Sequence, residues 1–203
     1  MSPKNLIMGI LLGGALAAGI FVATRVTTPA EPQYAFVLPE PSALPEFSLL
    51  DQTGAVVSAD TFRGQWDLVF FGFTNCPDIC PTTLQTLASA RADLVAAEAP
   101  TLPRIVLVSV DPERDTPELL GQYVDYFGDD NLAVTGDLEE VKKLADGLGI
   151  YFEKAPTEDG NYGVDHSAAV LVIDPNGGFS ALFSAPHIVA NYLHDLPIIM
   201  GEQ

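Results

Sequence analysis

The stretch WDLVFFGFTNCPDICPTTL, residues 66–84, joins a continuous apolar run to the two cysteines of the chain. Residues 66–73 are apolar at nearly every position, as expected of a strand that is covered on both faces. Pro81 lacks a backbone N–H and fits the first turn of a helix but not its interior. We therefore predict a core strand that passes into a helix beginning close to Cys80, with Cys76 in the loop just before it.

Strand and helix signals alternate along the rest of the chain. Apolar runs and turn residues predict a hairpin at residues 47–58, a second buried strand at 104–110 and a further hairpin at 167–184, around a Pro-Asn-Gly-Gly turn. Thr116 and Asp137 each precede a helical pattern and suit the N-cap position. This alternation predicts an α/β domain with a mostly parallel central sheet. In open α/β sheets, functional sites form at the carboxyl ends of strands, where the cysteines lie.

The composition excludes one large class of partners. The chain has 203 residues, enough for one domain, and carries 27 acidic against 9 basic residues, a formal net charge of −18. Phosphate binding needs clusters of Lys and Arg, and no such cluster is seen, so a nucleic-acid partner is excluded. The acidity is explained by a solvated surface, or by docking to a basic partner or by concentration of cations.

The N-terminus predicts a membrane anchor. Residues 6–23 are eighteen residues without a charge, and as a helix they span about 27 Å, enough for a bilayer core. A cleaved signal peptide is the alternative, but its apolar region usually runs only about 7–15 residues. Phe21 would also occupy a cleavage-site position that needs a small residue. We therefore predict an uncleaved transmembrane anchor over residues 6–24.

The predicted anchor divides the chain into segments. Residues 1–5 are predicted to be a short cytoplasmic tail, with the long domain on the other side of the membrane. Residues 27–46 contain five prolines, a composition that favours a stiff, extended tether, which we place over residues 25–45. Residues 46–203 then form the folded domain.

The two cysteines allow three interpretations. At the start of a helix, free N–H groups and the helix dipole favour thiolate over thiol, the form that attacks disulfides and binds metals. A structural disulfide would close only a very small loop and contribute little stability. A redox pair resembles the C-x-x-C of thioredoxins with one residue added. A metal site would suit Cu(I) or Zn(II) but needs a third ligand in addition to Cys76 and Cys80.

Three histidines are candidates for that third ligand. His187 lies at the start of a helix predicted at about residues 188–200, and His194 lies within that helix. Both are expected to be surface or half-buried residues. His166 directly precedes a predicted core strand. If that strand lies beside the cysteine strand in a parallel sheet, its leading loop is expected near the start of the cysteine helix.

Three segments together resemble a known family. GFTNCPDICPTTL (residues 72–84), DPERDTP (111–117) and VDHSAAVLVIDPNG (164–177) follow in this order behind a single predicted anchor. They closely resemble the Sco/SenC family, and the likeness covers roughly residues 45–200. The resemblance implies a thioredoxin-like α/β fold with a central mixed sheet flanked by helices.

The resemblance also implies a function. Members of the family deliver copper to the binuclear CuA site of cytochrome c oxidase subunit II, and by this likeness Cys76, Cys80 and His166 are the copper ligands. Two thiolates and an imidazole suit Cu(I), whereas Cu(II) calls for a fourth ligand. Some members look more like thiol-disulfide reductases that keep the CuA cysteines reduced, and in that case Cys76 and Cys80 would be the catalytic residues.

The remaining implications concern partners and location. Besides subunit II, the resemblance implies a periplasmic copper donor or a thioredoxin-like reductant as partner. The location it implies is the bacterial inner membrane, with the domain in the periplasm. Asp165 either orients His166 or caps a turn, and Asp78 either tunes the charge of the cysteines or starts a turn. Asp111 and Arg114 are interpreted as members of a structural loop network.

Overall fold

The structure, a computed structural model, describes residues 30–156 and 161–201. Pro32–Glu202 form one compact unit, and residues 1–29 lie outside the described residues. The predicted tail over residues 1–5 and the anchor over 6–24 therefore lie outside the described residues as well. Among the residues that are described, no helix has both the length and the apolar character needed to cross a bilayer.

Strands and helices alternate along the described chain. The strands are β1 (Ala35–Ala43), β2 (Leu49–Asp51), β3 (Val56–Val57), β4 (Asp67–Gly72), β5 (Arg104–Ser109), β6 (Leu132–Thr135), β7 (Phe152–Pro156), β8 (Tyr162–His166), β9 (Val170–Ile173) and β10 (Gly178–Phe183). The helices are a short 3₁₀ turn (Ala59–Phe62), α1 (Ile79–Ala96), α2 (Pro117–Asp125), α3 (Leu138–Gly147) and α4 (Val189–Ile199).

Eight of these strands form one mixed sheet, in the order β1-β10-β9-β4-β5-β6-β2-β3, while β7 and β8 form a separate hairpin. Only the β4–β5 and β5–β6 pairs are parallel; the other five pairs are antiparallel. The prediction of a mostly parallel sheet is therefore wrong. Parallel strands need a crossover connection, and α1 and α2 supply the only two crossovers between neighbouring strands of this sheet. The implied mixed sheet is correct.

The antiparallel pairing of β4 with β9 brings the site together. Phe70 near the end of β4 lies opposite Val170 at the start of β9. All six residues of β4 and all four of β9 are buried, which explains their continuous apolar runs. The loop that follows β4 and the loop that precedes β9 consequently lie at the same edge of the sheet.

The proline-rich segment is a strand over part of its length, which corrects the predicted tether over residues 25–45. Residues 35–43 form β1, which pairs with β10 at the edge of the sheet. Proline is tolerated in an edge strand because one side of the strand needs no N–H donor. The buried carboxylate of Asp195 also accepts the backbone N–H groups of Gln33, Tyr34 and Ala35 at 2.7–2.9 Å. The chain is therefore fixed to the domain from residue 33 onward.

The predicted helix starts are confirmed, with one difference. Thr116 accepts the N–H of Leu119, and Asp137 accepts the N–H of Glu139, so both are N-caps. Glu140 stands three residues after Asp137, where the acidic residue of a capping box would lie. Instead, the Glu140 carboxylate accepts the N–H of Ser48 at 2.8 Å and connects α3 to the segment before β2.

Candidate metal centre

The two cysteines lie where the sequence predicts them, on either side of the start of α1. Cys80 is the second residue of α1 and is fully buried, while Cys76 lies in the loop before the helix and is half-buried. Both thiols are free. The backbone N–H of Cys80 points to the Cys76 sulfur at 3.4 Å. Donation from the helix start to sulfur stabilises the thiolate form of Cys76.

His166 joins the cysteines from the end of β8. Its Nε2 lies 3.4 Å from the Cys80 sulfur, and the ligand atoms of Cys76, Cys80 and His166 all lie within 4.8 Å of one another. From the sequence, we predict this approach through a parallel neighbour of β4. That reasoning is wrong, because a parallel neighbour would begin at the opposite end of β4. The antiparallel β9 places its leading loop at the cysteines instead.

The hydrogen bond of the other ring nitrogen sets the tautomer of His166. Its Nδ1 lies 3.0 Å from the carbonyl oxygen of Ser167. A carbonyl only accepts, so Nδ1 carries the proton and the lone pair of Nε2 faces the sulfurs. Asp165, predicted either to orient His166 or to cap a turn, is exposed on β8, and the carbonyl of Ser167 accepts from the His166 ring instead. The rings of Phe70 and Phe73 meet the imidazole edge to face at 5.7 and 5.9 Å.

The two thiols share one environment and differ in protonation. The hydrogen bond with Cys80 is the main cause that lowers the pKa of the Cys76 thiol, and the backbone N–H groups of Asp78 and Cys80 act in the same direction against burial. The same bond and burial raise the pKa of Cys80. At neutral pH the pair therefore holds one proton, on Cys80. Asp78 contributes through its backbone N–H, and its side chain makes no capping bond.

A buried carboxylate holds the cysteine loop against the end of β5. Asp115 accepts the N–H of Thr74 at 3.1 Å, the hydroxyl of Thr74 at 2.5 Å and the hydroxyl of Ser109 at 2.6 Å. The sequence reasoning missed all three residues. The DPERDTP motif was the available signal for Asp115, whereas nothing local marks Thr74 or Ser109.

The same motif also holds β8, the strand that carries His166. Arg114 pairs with the buried Asp111, donates to the carbonyl oxygen of Tyr162 at 3.1 Å and stacks over the Tyr162 ring at 3.9 Å. The hydroxyl of Tyr162 donates to Asp111 at 2.9 Å. These contacts agree with the predicted loop network. The network also has a role at the site, because the DPERDTP motif supports both the cysteine loop and β8, the strand that carries His166.

The other two histidines lie outside this cluster. His187 bonds to the carbonyl oxygen of Ala168 and to Tyr192, and His194 pairs with Asp195. Within residues 30–156 and 161–201, Cys76, Cys80 and His166 form the one group of three potential metal-ligating side chains. Two sulfurs and an imidazole nitrogen are soft and borderline donors, a set that suits Cu(I) or Zn(II).

Comparison with known proteins decides the family. The sequence profile of the SCO1/SenC family matches residues 38–200, which include the whole cluster. The chain belongs to the SCO1/SenC family. Its fold is thioredoxin-like, with helices around a mixed central sheet.

Individual SCO1/SenC relatives match over most of their length. A Stutzerimonas stutzeri protein whose name marks it as a candidate copper-binding protein is 35% identical over 167 residues, 82% of this chain and 81% of that protein. A SCO2-like protein of Rickettsia prowazekii is 32% identical over 183 residues, 88% and 87% of the two chains. The crystal structure of Arabidopsis thaliana ScoI with copper bound is 33% identical, has a TM-score of 0.75 and covers 80% of this chain and 100% of its own.

Gly72, at the end of β4 in this SCO1/SenC domain, makes room for the buried cysteine. A Cβ atom at this position would lie 3.0 Å from the Cys80 sulfur, 2.9 Å from Phe70 Cε1 and 3.3 Å from Leu107 Cδ1. Separations this short force neighbouring atoms to move. The position of the Cys80 sulfur therefore depends on the absence of a side chain at Gly72.

We expect Gly72→Ala to lower the free energy of unfolding by about 1–3 kcal/mol, the usual cost of overpacking a close-packed core. The measurement is urea unfolding of the purified full chain. Gly163→Ala is the matched control, because a Cβ there meets nothing within 4 Å. An alanine at position 72 that is tolerated as well as one at 163 would contradict the close approach of Cys80.

Proposed function

We propose that this protein binds copper through Cys76, Cys80 and His166 and delivers it to the CuA site of subunit II during assembly of cytochrome c oxidase. One observation carries the proposal: the sulfurs of Cys76 and Cys80 and an imidazole nitrogen of His166 all lie within 4.8 Å of one another. The ScoI relative solved with copper bound supports copper as the metal. Copper is then the cargo of this protein.

The donor set is suited to handing the metal on. Cu(I) accepts three soft ligands and can take a fourth, so an acceptor thiolate can bind before a ligand of this protein leaves. The transfer is a ligand exchange, in which the acceptor sulfur forms a bond to copper and then a cysteine sulfur or the His166 nitrogen releases it. Neither the metal nor the thiols change oxidation state. Cys76 and His166 are both half-buried, so an acceptor can approach the centre from their side.

The location follows from the predicted anchor. We propose that residues 6–24 span the bacterial inner membrane, with residues 1–5 in the cytoplasm and the domain in the periplasm. Because β1 begins at Ala35, only about ten residues join the anchor to the sheet, and they reach at most about 35 Å.

A second function is favoured by the asymmetry of the thiols. The pKa of Cys76 is lowered and that of the buried Cys80 is raised, as in a dithiol reductase with an attacking and a resolving cysteine. The Cys76 thiolate would attack a disulfide of the CuA site and form a mixed disulfide with one of its cysteines. Cys80 would then attack Cys76 in this mixed disulfide and release the acceptor cysteine as a thiol. Two electrons pass to the acceptor, the chain is left with a Cys76–Cys80 disulfide, and a thioredoxin-like dithiol must reduce it again.

A transfer experiment separates the two functions. The copper-loaded full chain is mixed anaerobically with the copper-free soluble domain of subunit II, once with reduced and once with oxidised CuA cysteines, and the copper content of both proteins is measured after separation. Copper delivery predicts that the reduced acceptor takes up copper. Copper that stays on the chain, while the oxidised acceptor gains thiols as Cys76 and Cys80 lose theirs, would instead support the reductase.

The protonation of the pair predicts how binding depends on pH. Copper needs both thiolates, and Cys80 alone holds a proton at neutral pH, so binding one Cu(I) releases one proton. The affinity for Cu(I) is therefore expected to rise about tenfold per pH unit between about pH 7 and about pH 8.5. Competition with a chelator of known protonation measures this slope. An affinity that does not change with pH would show that the pair holds no proton. An affinity that rises about a hundredfold per pH unit would show that it holds two.

A further inference from the structure

The turn that joins His166 to β9 is held by a histidine that the metal centre does not contain. His187 Nε2 lies 2.7 Å from the carbonyl oxygen of Ala168, and the hydroxyl of Tyr192 lies 2.7 Å from His187 Nδ1. Since a carbonyl only accepts, Nε2 carries the proton and Nδ1 accepts from the tyrosine. Tyr192 is 1% exposed and packs on Phe183, with 4.2 Å between the ring centroids. The imidazole is therefore held by a hydrogen bond at each ring nitrogen.

We propose that His187 is a positioning residue of the copper centre, which holds the Ser167–Ala169 turn so that His166 Nε2 faces the two sulfurs. The inference rests on the proposed copper-binding function. The turn has a second support, because Ser167 exchanges two hydrogen bonds with Tyr151, at 2.9 and 3.1 Å. His187 and Tyr151 thus both hold the turn through hydrogen bonds.

The link from His187 to the ligand passes through neighbouring peptides. The carbonyl of Ser167, which accepts Nδ1–H of His166, belongs to the peptide directly before Ala168. If the Ala168 carbonyl loses its donor, the turn can rotate and the Ser167 carbonyl moves with it. His166 then loses the bond that fixes its tautomer and ring plane. Loss of such a supporting bond typically lowers metal affinity about 10- to 100-fold.

His187 is suited to this role because it stays neutral. Burial lowers its pKa from the usual value, although the bond to Ala168 acts in the opposite direction. A neutral imidazole keeps one donor and one acceptor, as the chain from Tyr192 to Ala168 requires. Leucine at this position would fill a similar volume and offer neither. Glutamine can place its amide nitrogen near the position of Nε2 and keep the donor.

The test compares His187→Leu with His187→Gln in the full chain, with His194→Gln as a control histidine that lies outside the centre. The first readout is Cu(I) affinity, measured by competition with a chelator. The second needs no metal: ¹⁵N NMR of the His166 ring in the copper-free protein reports its tautomer. We expect His187→Leu to lower Cu(I) affinity about tenfold and to give His166 a mixture of tautomers. His187→Gln and His194→Gln are expected to resemble the wild type in both readouts.

Two results would overturn the inference. One is wild-type affinity and a single His166 tautomer in His187→Leu; the other is a loss that His187→Gln does not recover. If His187→Leu does not fold, Tyr192→Phe replaces it, because this change removes only the hydroxyl that orients the imidazole and should also mix the His166 tautomers. A wild-type chain that fails to bind Cu(I) would refute the proposed function itself, whereas a wild type that binds beside an unaffected leucine variant would refute only the role of His187.

Discussion

Cys80→Ser is expected to lower the affinity for Cu(I) by at least on the order of a thousandfold, about 4 kcal/mol. A hydroxyl is a hard, protonated donor with little affinity for Cu(I), and residue 80 is fully buried, so water does not readily take the place of the lost sulfur. The substitution is close to isosteric, so the fold is expected to survive. Chelator competition under anaerobic conditions measures the loss, and thermal unfolding of the metal-free protein confirms that the variant is folded.

Cys76→Ser provides the comparison within the pair. It is also expected to remove tight binding, since one sulfur and one imidazole remain in either variant. The two variants should differ in thiol chemistry, because the lowered pKa belongs to Cys76. Cys80→Ser should keep a thiol that reacts with alkylating agents, and Cys76→Ser should leave one that is buried and unreactive. Tight Cu(I) binding by either single variant would rule out a centre built on both sulfurs.

Arg104→Ala is expected to cost about 3–5 kcal/mol of folding free energy, the usual loss when a buried ion pair loses one partner. Asp67 begins the core strand β4, is 0% exposed and receives two hydrogen bonds from the Arg104 guanidinium, at 2.7 and 3.1 Å. Burial raises the pKa of Asp67 to about 6, and Arg104 acts in the opposite direction. Without the arginine, a charged carboxylate would stand alone in the core. Urea unfolding of the full chain measures the loss.

The direction in which the stability loss of Arg104→Ala changes with pH tests whether the charge of Asp67 causes that loss. A carboxyl group whose pKa is higher in the folded than in the unfolded state binds more protons when folded, so lowering the pH favours folding. In Arg104→Ala the pKa of Asp67 rises further, and the destabilisation should shrink as the pH falls from 7 towards the range in which Asp67 is protonated. Arg91→Ala is the control: it breaks the more exposed pair with Asp130 and is expected to cost at most about 1 kcal/mol. Equal losses in the two variants would contradict the account.

The sequence predicts what depends on local pattern. The apolar run of β4, Pro81 and the caps at Thr116 and Asp137 each carry their own signal within a few residues, and the structure has a strand, a helix start and two caps there. The sheet order depends on distant pairings, and the parallel expectation failed because the hairpin β9–β10 inserts beside β4.

The missed elements have weak local signals for physical reasons. β1 contains two prolines, and β7 and β8 read FEKAP and YGVDH, which mix apolar and charged or small residues and show no clear alternation. For the site, the placement of His166 came from the family resemblance, since the geometric argument used the wrong strand direction. Tyr162 and Ser109 act only through tertiary contacts, so no pattern in the sequence marks them.

The central claim is a Cu(I) centre made by two cysteines and one histidine. The most direct test is anaerobic Cu(I) titration of the reduced full chain beside its His166→Ala variant, with chelator competition to fix the affinities. The account predicts one tightly bound Cu(I) per wild-type chain and an affinity at least about 100-fold lower in the variant, because loss of a ligand costs more than loss of a bond that supports it. Equal affinity in the two proteins, or weak binding in both, would contradict it.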